Sequence, residues 1–149
     1  MTDWDDRYLD LAEHIASWSK DPSSQIGAVC VGADGQILSQ GYNGLPRGIC
    51  DTDERLHIKE EKYKFIVHAE QNCIYNATLN GVCLDGATMY VFGLPVCNEC
   101  AKGIIQVGIT RVVFRTPMGD NTINIKWAEA WKLTKLMFAE AGVEFLQYD

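Results

Sequence analysis

The sequence of 149 residues lacks the features that mark membrane, secreted and nucleic-acid-binding proteins. It contains no run of about 18 apolar residues, so no segment is expected to cross a membrane. Its N-terminus is acidic rather than basic and apolar, so it does not resemble a signal peptide and a cytoplasmic protein is expected. Positive charge is scarce, since 13 Lys and Arg stand against 20 Asp and Glu. No basic cluster forms, and a nucleic-acid partner is therefore not expected.

The chain also lacks internal repeats, low-complexity segments and a linker, so residues 1–149 are expected to form a single domain. Hydrophobic residues make up 47% of the chain and can fill a sizeable core. The six cysteines are expected to be free thiols, because nothing marks the chain for secretion. Cys30, Cys73 and Cys83 lie in apolar runs and are expected to pack in the core.

Apolar periodicity and turn residues predict an α/β fold with the element order α-β-β-α-β-α-β-α-β. The predicted helices cover residues 4–18, 68–79, 97–107 and 125–141, and the strands cover 26–31, 37–42, 88–92, 110–115 and 143–148. A short helix is also allowed at 55–64, and 116–124 is predicted to be a polar loop. This order predicts a mixed five-stranded sheet with helices on its faces and the last strand parallel to the one before it.

The apolar stripes of the first and last helices are expected to face the core. They consist of Trp4, Tyr8, Leu11, Ile15 and Trp18 in the first helix, and of Trp127, Trp131, Met137 and Phe138 in the last.

Two short segments carry the residues that indicate catalysis. His68-Ala69-Glu70 opens the second predicted helix and Cys97-Asn98-Glu99-Cys100 opens the third, so the first turns of these helices are expected to meet. One imidazole and two thiolates, from His68, Cys97 and Cys100, make a three-ligand zinc site. Because structural zinc sites usually have four protein ligands, this set favours a catalytic site that keeps a position for water. Glu70 would accept the proton of that water and deliver it to a leaving group.

His-x-Glu combined with Pro-Cys-x-x-Cys is the signature of the zinc nucleobase deaminases. Val96 stands between Pro95 and Cys97, so this chain departs from the signature by one residue. A Cys-x-x-Cys alone also suits a redox pair or half of a structural zinc site, but neither explains His68 and Glu70. The pattern predicts hydrolytic removal of the amino group at C4 of a cytosine, without a redox cofactor.

Two further features leave alternatives open. The segment Gly41-Tyr42-Asn43-Gly44 is either a plain turn or a loop that contacts a nucleotide. Most of the charged residues at 50–64 are expected on a solvated face. Four of them nevertheless place positive charge just before His68: Arg55, Lys59, Lys62 and Lys64. Cys50 and His57 are too few ligands for a second metal.

Over nearly its whole length the sequence resembles the deoxycytidylate (dCMP) deaminases, a branch of the cytidine deaminase superfamily. The segments that carry the resemblance are Ser19-Lys20-Asp21-Pro22, Gln25-Ile26-Gly27-Ala28, Gly41-Tyr42-Asn43-Gly44, Lys62-Tyr63, His68-Ala69-Glu70, Cys97-Asn98-Glu99-Cys100-Ala101-Lys102 and Ala141-Gly142-Val143. The resemblance implies a cytidine-deaminase-like three-layer α/β/α fold and hydrolysis of dCMP to dUMP and ammonia, which supplies dUMP for thymidylate synthesis. It also implies that His68, Cys97 and Cys100 hold Zn2+ and that Glu70 shuttles protons.

The resemblance further implies how nucleotides bind. Asn43 would contact the substrate sugar, and Ala69 would offer its backbone to the base. The candidates for contacting the substrate phosphate, Arg47, Lys62, Lys64 and Arg115, follow only from their charge and position in this sequence. Tyr63 is a further expected substrate-binding residue. Members of the family are commonly homohexamers that dCTP activates with Mg2+ and dTTP inhibits. The effector site would lie in the 19–24 and 41–47 loops and include Lys20, Asp21, Gly41, Tyr42, Asn43, Gly44 and Arg47.

Two other functions remain as alternatives. A deaminase of free cytidine or deoxycytidine, or of a base in a polynucleotide, would use the same zinc chemistry, although the acidic charge disfavours a polynucleotide. A structural zinc module without activity would have no use for Glu70 beside its ligands.

Overall fold

A computed structural model describes residues 2–117 and 125–148, and for 125–127 it describes the backbone alone. In chain order its elements are α1 (Asp3–Ala16), β1 (Gly27–Val31), β2 (Ile37–Tyr42), α2 (Asp53–His57), α3 (Lys59–Phe65), α4 (Ala69–Leu79), β3 (Thr88–Phe92), α5 (Asn98–Gln106), β4 (Arg111–Arg115), α6 (Ile125–Ala141) and β5 (Glu144–Gln147). The predicted strands and long helices are all present, with ends that differ by at most two residues. The predicted polar loop at 116–124 lies largely outside the described residues.

The strands form one mixed five-stranded sheet with the spatial order β2-β1-β3-β4-β5. β1 pairs antiparallel with both β2 and β3, whereas β3, β4 and β5 run parallel to one another. The prediction that the last strand is parallel to the one before it is therefore confirmed. A helix connects each consecutive pair of these parallel strands, as a parallel connection requires.

The sheet is covered by helices on both faces, which confirms the three-layer α/β/α fold. Side chains of a strand alternate between the faces, so every residue of β1 is buried against one helical layer or the other. Val29 and Val31 pack with Leu9, Ala12 and Ile15 of α1. The alternate positions pack against α4, α5 and α6, in a cluster that includes Ala28, Cys30, Cys73, Ile104 and Phe138.

The aromatic stripe predicted for the first helix is wrong at its two ends. Trp4 and Trp18 are 57% and 49% exposed, because the buried face of α1 is set by the smaller residues Leu9, Ala12 and Ile15. Trp4 lies under the guanidinium of Arg7 at 4.4 Å from the ring centroid. Thr2 caps α1, as its side chain accepts a hydrogen bond from the backbone N–H of Asp5.

Two other expectations need correction. The segment allowed to form one helix at 55–64 forms two short ones, α2 and α3, because Ile58 between them has an extended backbone with φ −88° and ψ 112°. Cys83 is exposed rather than buried, since it follows the end of α4, where Gly81 turns the chain with a positive φ of 68°.

The last helix packs as the apolar pattern predicted where its side chains are described. Phe138 is buried, and Trp131 and Met137 pack against the same cluster. The ring of Phe114 on β4 lies 5.0 Å from those of both Trp131 and Phe145. The side chain of Trp127 is outside the described part of the structure. No helix in the described ranges is both long and apolar enough to span a bilayer.

Candidate active site

The first turns of α4 and α5 meet at one end of the sheet. His68 immediately precedes α4 and Cys97 immediately precedes α5, each with an extended backbone that suits the residue before a helix. Cys100 lies one turn into α5, and its backbone N–H donates to Sγ of Cys97 at 3.4 Å. The local spacing of two cysteines around a helix start therefore points both sulfurs at the His on the neighbouring helix.

The three side chains converge closely enough to share a metal ion. Nδ1 of His68 lies 3.3 Å from Sγ of Cys100 and 3.4 Å from Sγ of Cys97, and all three atoms lie within 4.8 Å of one another. Ligand atoms of a tetrahedral zinc with ordinary Zn–S and Zn–N bonds are separated by about 3.6 Å, so the observed donor set fits Zn2+. Elsewhere in the ranges 2–117 and 125–148, no other group of three such side chains forms, including around Cys50 and His57.

The electrostatics of the cluster favour its metal-binding protonation state at Cys97. The thiol of Cys100 and the imidazole of His68 both hydrogen-bond to the Cys97 sulfur and lower its pKa. The same contact with Cys97 raises the pKa of His68. The N-terminus of α5 adds a partial positive charge, which also stabilises a thiolate.

Glu70 is a buried carboxyl group next to these ligands. It lies in the first turn of α4, two residues after His68, and is only 4% exposed. Burial raises the pKa of Glu70 to about 7, while the charge of His68 opposes that rise. A carboxyl group held dry beside a metal centre is suited to carrying a proton between water and substrate.

Comparisons with known proteins decide the family. Residues 2–116 match the family described as the cytidine and deoxycytidylate deaminase zinc-binding region. The chain belongs to this family. It is 40% identical to the deoxycytidylate deaminase of Pongo abelii over 98% of this chain and 80% of that protein. It is also 40% identical to an uncharacterised deaminase of Aliivibrio fischeri, over 97% of this chain and 92% of that one.

Solved structures agree with the family assignment at the level of the fold. The dCMP deaminase of cyanophage S-TIM5, in complex with dCMP and dUMP, superposes with a TM-score of 0.76 at 23% identity, covering 99% of each chain. The cytidine deaminase of Mycobacterium leprae gives a TM-score of 0.54 at 18% identity over 80% of this chain and 92% of that one. The chain is therefore a deaminase enzyme with the cytidine-deaminase-like fold.

In this deaminase the Gly41–Gly44 segment is fixed against α4. A Cβ atom on Gly41 would lie 2.4 Å from the backbone N of Cys73 and 2.8 Å from the carbonyl O of Ala69, so glycine lets the helix approach β2. Gly44 and Val67 exchange two backbone hydrogen bonds of 3.1 and 2.8 Å, directly before His68. Gly41, for which the sequence left open a turn or a nucleotide contact, therefore serves the close packing of α4 against β2.

Asn43 binds a neighbouring loop of the deaminase through its side-chain amide. Its Oδ1 accepts from the backbone N–H of Ile26 at 2.9 Å, and its Nδ2 donates to the carbonyl O of Ser24 at 2.8 Å. Ala69 is fully buried at the start of α4. Contacts of Asn43 with the substrate sugar and of Ala69 with the base stay predictions.

Most of the cations considered for phosphate binding are occupied by other partners. Lys62 pairs with Asp21 at 3.2 Å, and Arg115 pairs with Asp6 at 2.7 Å and Asp10 at 3.0 Å on α1. Among the exposed cations, Lys20 pairs with Asp51, Lys64 pairs with Glu61, and Arg47 donates to the Asn76 side chain. Tyr63 is 48% exposed, with the ammonium of Lys62 5.9 Å from its ring centroid.

A cavity of about 630 Å³ lies at the carboxyl end of β3, where Leu94 in its wall is three residues before Cys97 in the chain. It is lined by residues 19–25, 92–94 and 117, and its second segment leads directly to Cys97. The three proposed ligands and Glu70 are not in its wall.

Two polar residues have structural roles that were not predicted from the sequence. Thr134, buried on α6, donates its hydroxyl to the carbonyl O of Val96 at 2.9 Å, and Val96 is the residue that departs from the deaminase signature. Asp21 was assigned only to an effector site, but its carboxylate organises the loop that lines the cavity. Thr134 has no local sequence pattern because its partner Val96 is 38 residues away, whereas the bonds from Ser23 and Ser24 to Asp21 form a local Asx-type turn.

Proposed function

We propose that this deaminase hydrolyses dCMP to dUMP and ammonia, with His68, Cys97 and Cys100 as ligands of Zn2+ and Glu70 as the proton carrier. The observation that carries the proposal is the convergence of one imidazole nitrogen and two sulfurs, within 4.8 Å, beside the buried Glu70 carboxyl group. The substrate is inferred from the relatives, several of which are named deoxycytidylate deaminases; that of Homo sapiens is 38% identical over 98% of this chain.

The residues of the site divide the chemistry between them. A Zn2+ ion held by His68, Cys97 and Cys100 would supply hydroxide near neutral pH, because zinc lowers the pKa of water. Glu70 accepts one proton of the attacking water and passes it to ring N3 of the cytosine. It then takes the second proton from the hydroxyl group now on C4 and gives it to the amino group, which leaves as ammonia when its bond to C4 breaks. The overall reaction consumes dCMP and water and releases dUMP and ammonia, so no redox cofactor takes part.

The wall of the site is proposed to orient the nucleotide. Ala69 offers its backbone to the base, Asn43 contacts the sugar, and Tyr63 lies near the substrate. The burial of Ala69 and Glu70 supports this arrangement, because a dry site strengthens hydrogen bonds to the reacting base.

Charge favours a small substrate over a nucleic acid. The net charge is −7, and the cations near the site are paired with carboxylates or amides of the chain. Binding a phosphate backbone depends mainly on available Lys and Arg side chains. A single nucleotide needs only one local anion site, so dCMP is preferred to a cytosine in DNA or RNA.

We also propose that the enzyme is a cytoplasmic homohexamer that serves thymidylate synthesis, activated by dCTP with Mg2+ and inhibited by dTTP. The effector site would use the 19–24 and 41–47 loops. This location is supported by a second cavity of about 110 Å³, which is lined by residues of both loops: Lys20, Asp21, Tyr42, Asn43, Gly44 and Leu45. Gly41 and Arg47 flank the same segment.

Ammonia release from parallel substrates tests the proposed function. The zinc-loaded protein would be given dCMP, dCTP, deoxycytidine and a cytosine-containing oligonucleotide, each with and without dCTP–Mg2+ or dTTP. Preferential turnover of dCMP supports the proposal, whereas preference for another substrate would refute the choice of dCMP and retain the zinc chemistry. Unchanged rates with both effectors would refute regulation, and a monomer mass by light scattering would refute the hexamer.

A further inference from the structure

Asp21 is the centre of a buried polar network in the loop between α1 and β1. The residue is 7% exposed, and its Oδ1 accepts from the backbone N–H groups of Ser23 at 2.8 Å and Ser24 at 3.1 Å. These two bonds close the loop back on itself. A buried carboxylate needs such donors and a compensating charge, because its desolvation is otherwise costly.

Lys62 supplies that charge from a distant part of the chain. Its Nζ lies 3.2 Å from the same Oδ1 of Asp21, and the residue is 8% exposed. Lys62 is the one buried Lys or Arg within the described ranges. Lys64, two residues later on α3, is exposed and pairs with Glu61 on its own helix. The Lys62–Asp21 ion pair therefore joins α3 to the 19–25 loop, whereas the Lys64–Glu61 pair stays within α3.

Asn43 completes the network from the other side. Its Nδ2 donates to the carbonyl O of Ser24 at 2.8 Å and lies 3.5 Å from Oδ2 of Asp21. Ser19 donates its hydroxyl to the carbonyl O of Asn43 at 2.7 Å. Two other segments of the chain, at Asn43 and Lys62, thus hold the 19–25 loop.

The same loop forms the larger part of the wall of the 630 Å³ cavity at the carboxyl end of β3, and Leu94 in that wall is three residues before Cys97. Any shift of the loop changes the shape of that cavity. An aliphatic side chain at position 62 would leave the Asp21 carboxylate buried without its cation, and the loop would move to bring that carboxylate into water.

We propose that Lys62 is a positioning residue that acts through Asp21 to fix the wall of the substrate cavity, and that it does not contact the substrate phosphate. This inference rests on the proposed function, since it takes the cavity as the site of the nucleotide. Charge and position in the sequence alone do not distinguish this role of Lys62 from a direct contact with the substrate phosphate. A phosphate contact matters only for a phosphorylated substrate, whereas a misplaced wall affects dCMP and deoxycytidine alike.

The test compares Lys62→Met with Lys59→Met, which removes the same charge from an exposed position on the same helix. We expect Lys62→Met to raise KM for both dCMP and deoxycytidine by a similar factor, about tenfold or more, with a smaller change in kcat. If turnover of deoxycytidine is too slow, the inhibition constant of deoxyuridine takes its place. Lys59→Met is expected to behave as the wild type, and Lys62→Arg, which keeps the cation, is expected to have a KM near that of the wild type. An effect confined to dCMP would overturn the inference in favour of a direct phosphate contact.

Hydrogen exchange provides a readout that does not depend on the substrate. The amides of Ser23 and Ser24 donate to Asp21, so their exchange is expected to accelerate by about tenfold or more in Lys62→Met and in Asp21→Asn, but not in Lys59→Met. Unchanged exchange in both variants would overturn the positioning role. Faster exchange with unchanged KM would show that the loop does not shape substrate binding. A wild-type enzyme inactive on dCMP would refute the proposed substrate while the exchange result still decides the role of Lys62.

Discussion

Replacing Thr134 with Val tests whether the last helix supports the metal centre. The two side chains have nearly the same shape, but Val cannot donate the 2.9 Å hydrogen bond to the carbonyl O of Val96. A buried hydrogen bond contributes about 1 kcal/mol, and a buried partner left unsatisfied costs about 1–3 kcal/mol. We therefore expect a loss of about 2 kcal/mol in the free energy of unfolding, or about 4–8 °C in Tm for a chain of this size.

The same substitution should also weaken zinc binding. Val96 immediately precedes Cys97, so a looser carbonyl frees the segment that carries the first sulfur ligand. Thermal unfolding of the zinc-loaded protein and zinc release to a chromophoric chelator measure the two effects. Thr134→Ser retains the hydroxyl, and Thr78→Val removes an exposed hydroxyl that bonds a carbonyl within α4, so both serve as controls. A Thr134→Val protein that melts and releases zinc like the wild type would refute this reasoning.

Three further predictions follow from other contacts. Gly41→Ala is expected to reduce dCMP turnover below about one-tenth of the wild-type rate, because its Cβ collides with the backbone of α4 beside the site. Gly103→Ala is the control that should stay active, since its Cβ meets only Cδ1 of Ile74 at 3.5 Å. Arg111→Met is expected to lower the urea-measured free energy of unfolding by about 3 kcal/mol at pH 7, because the buried Asp5 carboxylate loses its bidentate partner. Arg111 holds the pKa of Asp5 well below its ordinary value. The pair therefore stabilises the wild type above about pH 4, and this stability is lost as the pH falls towards the lowered pKa. The difference in the free energy of unfolding between the two proteins should shrink by pH 3, and a constant difference would contradict the assignment. Chelation of zinc should lower Tm and abolish turnover, and added Zn2+ should restore both; activity that survives complete chelation would argue against the metal site.

Local patterns explain why much of the fold and of the candidate site could be predicted from the sequence. β2, β3 and α6 have the predicted ends, because apolar alternation, helical periodicity and glycines after helices are all short-range signals. The convergence of His68 with Cys97 and Cys100 followed from a similar argument. Each of the two segments opens a helix, and the topology brings those helix starts to the same end of the sheet.

Features that depend on distant partners were not predictable in the same way. Lys62 and Asp21 are 41 positions apart, and Thr134 and Val96 are 38 apart, so no local pattern connects either pair. A positive charge close to His68 in the sequence is equally compatible with a phosphate ligand and with one half of a buried ion pair. Exposure of Trp18 has the same origin, since the helical stripe shows which face is apolar but not where the sheet beneath it ends.

The most direct test of the central claim is dUMP formation from dCMP by zinc-loaded Glu70→Gln, with the zinc content of the same sample measured. Glu99→Gln is the matched control, because Glu99 lies in the first turn of α5 but is exposed and pairs with Lys102. We predict that Glu70→Gln keeps its zinc and loses at least about a hundredfold in kcat, whereas Glu99→Gln keeps both. Wild-type turnover by a zinc-loaded Glu70→Gln protein would contradict the account.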